Sequence, residues 1–279
     1  MRTFILILQC QDQKGIVARI SDFIFRHQGN IITADQYSTN FEGGFFFMRV
    51  EFCVSDDVKK ESLNVDFATL AKEFNAHWRI YDKTDNLRMG ILVSQESHCL
   101  ADILYLYNAG ELKVKIPFVL SNCLKHEQLV KQYNLPFIFL PATKDDRREN
   151  EILERVKNET DFLVLARYML VLSKDFLCAY SKDIINIHHG FLPSFKGPDP
   201  YGEALRKGVK IIGATAHFVN EELDEGPIIT QEVECVSHKD SRDDLVRKGR
   251  NLENKALANA LFKYLDYRVI RHENKTIVF

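Results

Sequence analysis

Asn186 and His188 stand two positions apart in Asn186-Ile187-His188-His189-Gly190, so on an extended chain both side chains leave the same face. An amide and an imidazole aimed at one point can stabilise the oxygen of a tetrahedral intermediate, where a single donor is worth about 3 kcal/mol. Downstream, His217 closes a strand-like run and Asp224 lies in Leu223-Asp224-Glu225-Gly226-Pro227. A carboxylate there could orient and activate a water and favour the charged form of a nearby histidine. The same residues admit a structural reading: Asn186 tying down a loop, His188 packed beneath it, and Asp224 opening an Asx turn. His189 points to the opposite side of the strand and is expected to be structural.

Other chemistries find less support in the residue spacing. Adjacent His188 and His189 point apart, which makes chelation of one ion awkward, and no HExxH-like spacing occurs. Ser94, Ser97 and Ser173 follow strand-like runs, but none sits in a GxSxG elbow. The stretch Ser94-Gln95-Glu96-Ser97-His98 has no glycine, so a dinucleotide cradle or P-loop is not expected there. The six cysteines, Cys10, Cys53, Cys99, Cys123, Cys178 and Cys235, are scattered singly and read as free thiols. Neither a metal nor a permanently bound cofactor is expected.

Those candidate groups need a scaffold, and the order of elements supplies two. Up to residue 83 the pattern is strand, helix, strand, strand, helix, strand. It comprises Phe4 to Leu8, a helix from Gly15 to Phe25 with Ile16, Val17, Ile20, Phe23 and Ile24 on one stripe, Ile31 to Ser38 and Phe45 to Val54 joined around Asn40-Phe41-Glu42-Gly43-Gly44, a helix at Asp66 to Phe74, and His77 to Tyr81. This is a split βαβ arrangement. From residue 84, apolar runs at Arg88 to Val93, Val114 to Leu120, Phe137 to Phe139, Phe162 to Leu165 and Ile184 to Ile187 alternate with helical segments, which implies an open, mostly parallel sheet. Val209 to Asn220 and Pro227 to Val236 add an antiparallel pair, followed by a helix over Asp240 to Tyr264 and a closing extended segment. The irregular stretch His188 to Pro200 begins at the strand ends where such sheets bind ligands.

Composition fits this plan. The chain has 279 residues, 46% hydrophobic and 27% charged, with 37 Lys plus Arg against 39 Asp plus Glu. It carries no broad field to attract nucleic acid or an anionic membrane. The opening apolar run is short for a signal peptide or a span, and the chain is expected in the cytoplasm.

Several motifs carry a resemblance: Arg88-Met89-Gly90-Ile91-Leu92-Val93-Ser94 with His98-Cys99-Leu100, Leu165-Ala166-Arg167-Tyr168-Met169, Asn186-Ile187-His188-His189 with Phe191-Leu192-Pro193, Ile212-Gly213-Ala214-Thr215-Ala216-His217, and Leu223-Asp224-Glu225-Gly226-Pro227-Ile228-Ile229. Through them residues 84–279 resemble the folate-dependent formyltransferase superfamily, and the whole chain resembles its formyltetrahydrofolate deformylase family. The fold implied is α/β, a ferredoxin-like ACT domain at 1–83 followed by a Rossmann-like formyltransferase sheet. The resemblance implies hydrolysis of 10-formyltetrahydrofolate to formate and tetrahydrofolate, in one-carbon metabolism and purine biosynthesis. It places the family's catalytic asparagine, histidine and aspartate on Asn186, His188 and Asp224, and substrate contacts on Arg88, Met89, Leu165, Ile187 and His217. Asn186 and His188 would polarise the formyl oxygen while Asp224 holds the attacking water. Cys10-Gln11-Asp12-Gln13-Lys14-Gly15 resembles the first turn of an ACT module, which implies regulatory contacts at Asp12 and Gly15, glycine or methionine as effectors, and a homo-oligomer. Gly190 replaces a small hydroxyl residue, and an alanine-arginine pair near 198 and 199 is replaced by Pro198-Asp199. Two alternatives stay open: formyl transfer to an amine, and a noncatalytic folate sensor.

Overall fold

The computed structural model describes residues 1–40, 43–194 and 200–279. The hairpin residues Phe41 and Glu42, and Phe195 to Asp199 with the departure at 198 and 199, lie outside the described residues. Two compact units are present: Met1–Asn86 with Asp266–Ile270 and Ile277–Phe279, and Leu87–Leu265 with Arg271–Thr276.

In the first unit, β1 (Arg2–Gln11), α1 (Ile16–Arg26), β2 (Asn30–Ser38), β3 (Phe45–Val54), α2 (Lys60–Glu73) and β4 (His77–Asp82) form an antiparallel sheet in the order β2-β3-β1-β4. This is the ferredoxin-like ACT arrangement. Helix α1 buries Ile16, Ile20, Phe23 and Ile24, a stripe with helical spacing, while Val17 is 40% exposed and falls off it. Helix α2 begins earlier than expected because its first turn is polar and gives little periodic signal before Leu63. On β3, Arg49 is fully buried, and its guanidinium donates to the Asp266 carbonyl at 3.0 Å, to Glu51 at 3.1 Å and to Thr33 at 3.2 Å. Returning the tail residue Asp266 to this unit satisfies a charge that would be costly to bury alone.

The second unit contains β5 (Met89–Val93), α3 (His98–Asn108), β6 (Val119–Ser121), α4 (Glu127–Gln132), β7 (Phe137–Phe139), α5 (Glu149–Glu159), β8 (Phe162–Leu165), α6 (Lys174–Tyr180), β9 (Asp183–His188), α7 (Pro200–Lys207), β10 (Ile211–Phe218), β11 (Ile228–Cys235) and α8 (Arg242–Leu265). Its sheet runs β11-β10-β9-β8-β5-β6-β7. Strands β5 to β9 are parallel, and β10 and β11 extend the sheet antiparallel, so the expected Rossmann-like architecture with its antiparallel addition is what forms. The strand expected over Val114 to Leu120 shrinks to β6, since Pro117 has no N–H to give a ladder, and Lys115 makes an isolated bridge to Arg88. Helices α6 and α7 are too short to announce themselves by periodicity; Ser173 caps α6 by accepting from the Phe176 N–H. The closing segment folds into a hairpin, β12 (Val269–His272) with β13 (Lys275–Val278).

Candidate active site

Strand β9 lies between β8 and β10. Across β8 and β9, Leu165 is the register partner of Asn186. Across β10 and β9, His217 faces Asn186 and Thr215 faces His188. Directly opposed residues share a face, so Asn186, His188 and His217 emerge together at the C-terminal edge of the sheet. A register shift between Ala216 and His217 on β10 re-aims the histidine at this point.

Asp224 reaches the same place from the connection between β10 and β11. It adopts a left-handed backbone, φ 57°, which aspartate tolerates better than most residues. Gly226 makes the connection close enough: a Cβ there would stand 1.8 Å from the Phe218 carbonyl oxygen. Asp224 Oδ2 lies 3.1 Å from His188 Nδ1, and Oδ1 lies 3.6 Å from His217 Nε2. His217 is anchored in turn, with Nδ1 2.8 Å from the Phe218 carbonyl and Nε2 3.2 Å from Asn186 Nδ2. Burial alone would raise the Asp224 carboxyl; hydrogen bonds and charge from His188 and His217 outweigh it and hold the group well below the usual carboxylate range. Asp224 is therefore an ionised acceptor at neutral pH.

His188 is buried, 5% exposed, and its second nitrogen, Nε2, has no hydrogen-bond partner among the described residues. An imidazole oriented through Nδ1 by a carboxylate and left open at Nε2 can donate to, or exchange a proton with, a bound substrate. A cavity of about 510 Å³ borders Asp224, with Leu192, Gly226 and Lys275 among its lining. A larger cavity of about 750 Å³, edged by Lys144, Arg147 and Asp175, touches none of the candidate residues.

The remaining candidates divide. Leu165 and His217 stand beside the cluster. Arg88 and Met89 lie at the N-terminal end of β5, the opposite edge of the sheet: Arg88 pairs with Asp161 at 2.7 Å, and Met89 is fully buried. Ile187 is 3% exposed on the face opposite Asn186 and His188. In the first unit, Asp12 accepts from the Ser38 hydroxyl, and Gly15 enters α1 with a left-handed backbone, φ 91°. Thr215 escaped the sequence reading. It donates to the Gly190 carbonyl at 2.9 Å and accepts from the Leu192 N–H at 3.1 Å and from Gln231 Nε2 at 3.1 Å, so it pins the turn after His188. The signal was present, since Thr215 and His217 are two apart on one strand face.

Comparison with known proteins decides what this constellation belongs to. Residues 87–261 match the family model described as "Formyl transferase". The "Formyltetrahydrofolate deformylase" of Bacillus subtilis (strain 168) is 45% identical, covering 98% of this chain and 93% of that protein. The chain belongs to the formyltetrahydrofolate deformylase family. A crystal structure of a formyltetrahydrofolate deformylase from Pseudomonas syringae pv. tomato superposes with TM-score 0.95 at 42% identity, covering 100% of this chain and 95% of that one. A glycinamide ribonucleotide transformylase from Symbiobacterium toebii gives TM-score 0.66 at 26% identity, with 71% of this chain and 97% of that one covered. Deformylase relatives thus match across both units, whereas the transformylase leaves more than a quarter of the chain unmatched. No helix among the described residues is long and apolar enough to cross a membrane.

Proposed function

We propose that Asn186, His188 and Asp224 carry the hydrolysis of 10-formyltetrahydrofolate to formate and tetrahydrofolate. The carrying observation is the His188 ring, tied to Asp224 through Nδ1 and open at Nε2. Water attacks the formyl carbon and the carbonyl electron pair moves onto oxygen, where Asn186 Nδ2–H and His188 Nε2–H receive it. Asp224 holds the attacking water and takes its proton as the new C–O bond forms; the proton is relayed through His188. The carbonyl re-forms, the bond to N10 breaks, and N10 keeps the electron pair and gains the proton. Leu165 and His217 border the substrate, and His217 also holds the Asn186 amide.

Hydrolysis is favoured over transfer to an amine by the match of deformylase relatives over both units. A sensor that only bound folate would need none of the Asp224–His188 geometry. At the first unit, the Asp12 turn and Gly15 are assigned to binding of glycine or methionine in a homo-oligomer. Six free cysteines suit a reducing compartment, here the cytoplasm. The test is formate release from 10-formyltetrahydrofolate with no amine present. Release under those conditions is expected; strict dependence on an added amine would overturn hydrolysis in favour of transfer.

A further inference from the structure

Between β10 and β11 the pairing slips: Ala216 faces Thr230 and His217 faces Ile228, so Ile229 is an extra residue on β11. Such a bulge interrupts the ladder and leaves backbone groups to find other partners. This one sits where the connection carrying Asp224 rejoins the sheet. Residues 219–227 contain neither helix nor strand, and Asp224 within them has a left-handed backbone. A residue in that conformation keeps it only where its surroundings over-determine it.

The turn of the β12–β13 hairpin supplies such surroundings. Arg271–Thr276 belong to the second unit and lie beyond residues 87–261, which match the formyl transferase model. They meet the sheet at three points. Arg271 pairs with Asp183 at the start of β9, and Asp183 also accepts from the Tyr264 hydroxyl at 2.9 Å. The Arg271 guanidinium stands 4.6 Å from the centre of the Phe218 ring, where β10 ends. The Thr276 hydroxyl donates to the carbonyl of Ile228, the first residue of β11. Both ends of the Asp224 connection are thereby held. The turn also reaches the site itself, since Asn274, Lys275 and Thr276 line the cavity of about 510 Å³ together with Asp224 and Gly226.

We propose that this hairpin turn straps the Asp224 connection in place and that Thr276 is a positioning residue for the hydrolysis. By holding the Ile228 carbonyl at the bulge, its hydroxyl fixes the end of the connection from which Asp224 reaches His188 and His217. The proposal deepens the assignment of Asp224 to the reaction and rests on it. Valine at 276 would keep the shape and lose the donor, whereas serine would keep the donor.

The experiment is steady-state formate release by the full chain carrying Thr276→Val or Thr276→Ser, each also made in an Asp224→Asn background, with thermal unfolding alongside. Thr276→Val is expected to lower kcat about tenfold, because small misplacements of a reacting group are costly, with KM for 10-formyltetrahydrofolate within about twofold of the parent. Thr276→Ser should keep kcat within about twofold of the parent. In the Asp224→Asn background, Thr276→Val should lower kcat by less than about threefold, since the group it positions is already gone. Arg271→Met removes the hold on Phe218 and Asp183; it should repeat the pattern with a smaller loss, and it carries the test if Thr276→Val does not fold. An unchanged kcat in both Thr276→Val and Arg271→Met, an equal loss in Thr276→Ser, a rise in KM at constant kcat, or an undiminished loss in the Asp224→Asn background overturns the proposal. Failure of both Thr276→Val and Arg271→Met to fold also overturns it, by making the turn a requirement of folding. These readouts are ratios between matched proteins, so they can fail while the parent still releases formate without an amine. An Asp224→Asn variant as active as the parent would instead remove the assignment of Asp224, and the strap with it.

Discussion

The second unit contains two carboxylates served by histidines, Asp224 half-buried and Glu253 buried, and they differ in what borders them. Around Asp224, His188 keeps one ring nitrogen without a partner, and His217 is turned inward to the backbone. Around Glu253, both carboxylate oxygens are taken up by His98, Arg167 and Tyr201, and His98 Nδ1, like His188 Nε2, has no hydrogen-bond partner among the described residues. Both carboxyls are held below the ordinary range although burial opposes it, by His188 and His217 in one case and by His98, the Arg167 charge and Tyr201 in the other. A similar electrostatic outcome therefore accompanies two different arrangements. The unpartnered ring nitrogen is common to both clusters, but Asp224 borders the cavity of about 510 Å³ and Glu253 lines neither cavity described above. Access for a bound molecule is what separates a group placed for chemistry from one that fixes structure.

The comparison breaks most visibly if the two histidines are exchanged in importance. His188→Ala is expected to lower kcat by about 10²–10⁴, the usual worth of a positioned acid or base, with Tm changed little. His98→Ala should leave kcat within about tenfold while lowering Tm, because it deprives a buried carboxylate of a partner. Steady-state formate release and thermal unfolding on both variants check this. Equal losses of kcat would erase the distinction between the clusters.

Asn186→Ala comes next. Removing one donor to the developing oxyanion should cost about 10²–10³ in kcat, with KM for 10-formyltetrahydrofolate nearly constant if the amide acts on the transition state alone. A rise in KM at unchanged kcat would move Asn186 from the reaction to ground-state binding.

The Asp224 cluster was more legible in the sequence than its counterpart, for a physical reason. Asn186 and His188 sit on a strand of period two that ends at the ligand-binding edge, so their common face follows from spacing. Asp224 was legible through its Asp-Glu-Gly-Pro turn, and the two-unit plan through the change from split βαβ to alternating strands and helices. Glu253 lies within a buried stripe of α8 that includes Leu252, Ala256 and Leu257. An acidic residue on such a stripe is a readable anomaly, but its partners are contributed by segments 52 to 155 residues away, and no local pattern names them. Nor did local spacing reveal that Asp266 completes the first unit around Arg49. Arg88 and Met89 lie in the motif Arg88-Met89-Gly90-Ile91-Leu92-Val93-Ser94, yet strand direction places them at the N-terminal end of β5, away from the cluster.

Gly226→Ala sharpens the geometric side of the comparison. The added methyl would meet the Phe218 carbonyl oxygen at 1.8 Å, so the connection carrying Asp224 must shift. Misplacement of about 1 Å can cost about 10²-fold, and a loss of about 10- to 100-fold in kcat is expected. Gly110→Ala, in a turn with open space and φ 74°, serves as the control: its strain should lower stability by about 1 kcal/mol and leave kcat alone.

The smallest effect is the pH dependence of stability, where both carboxylates should behave alike. A carboxyl held below its unfolded value contributes stability that is fully present above the unfolded pKa, about 4. That contribution is lost as pH falls through the lower folded value. Asp224→Asn and Glu253→Gln remove it, so each variant should be less stable than the parent at pH 7, and the gap should narrow as pH drops below about 4. Urea unfolding from pH 7 down to the acid limit of folding measures the gap. A gap that widens on acidification in either variant would mean that the carboxyl is held in its neutral form, and the shared electrostatic logic of the two clusters would fail.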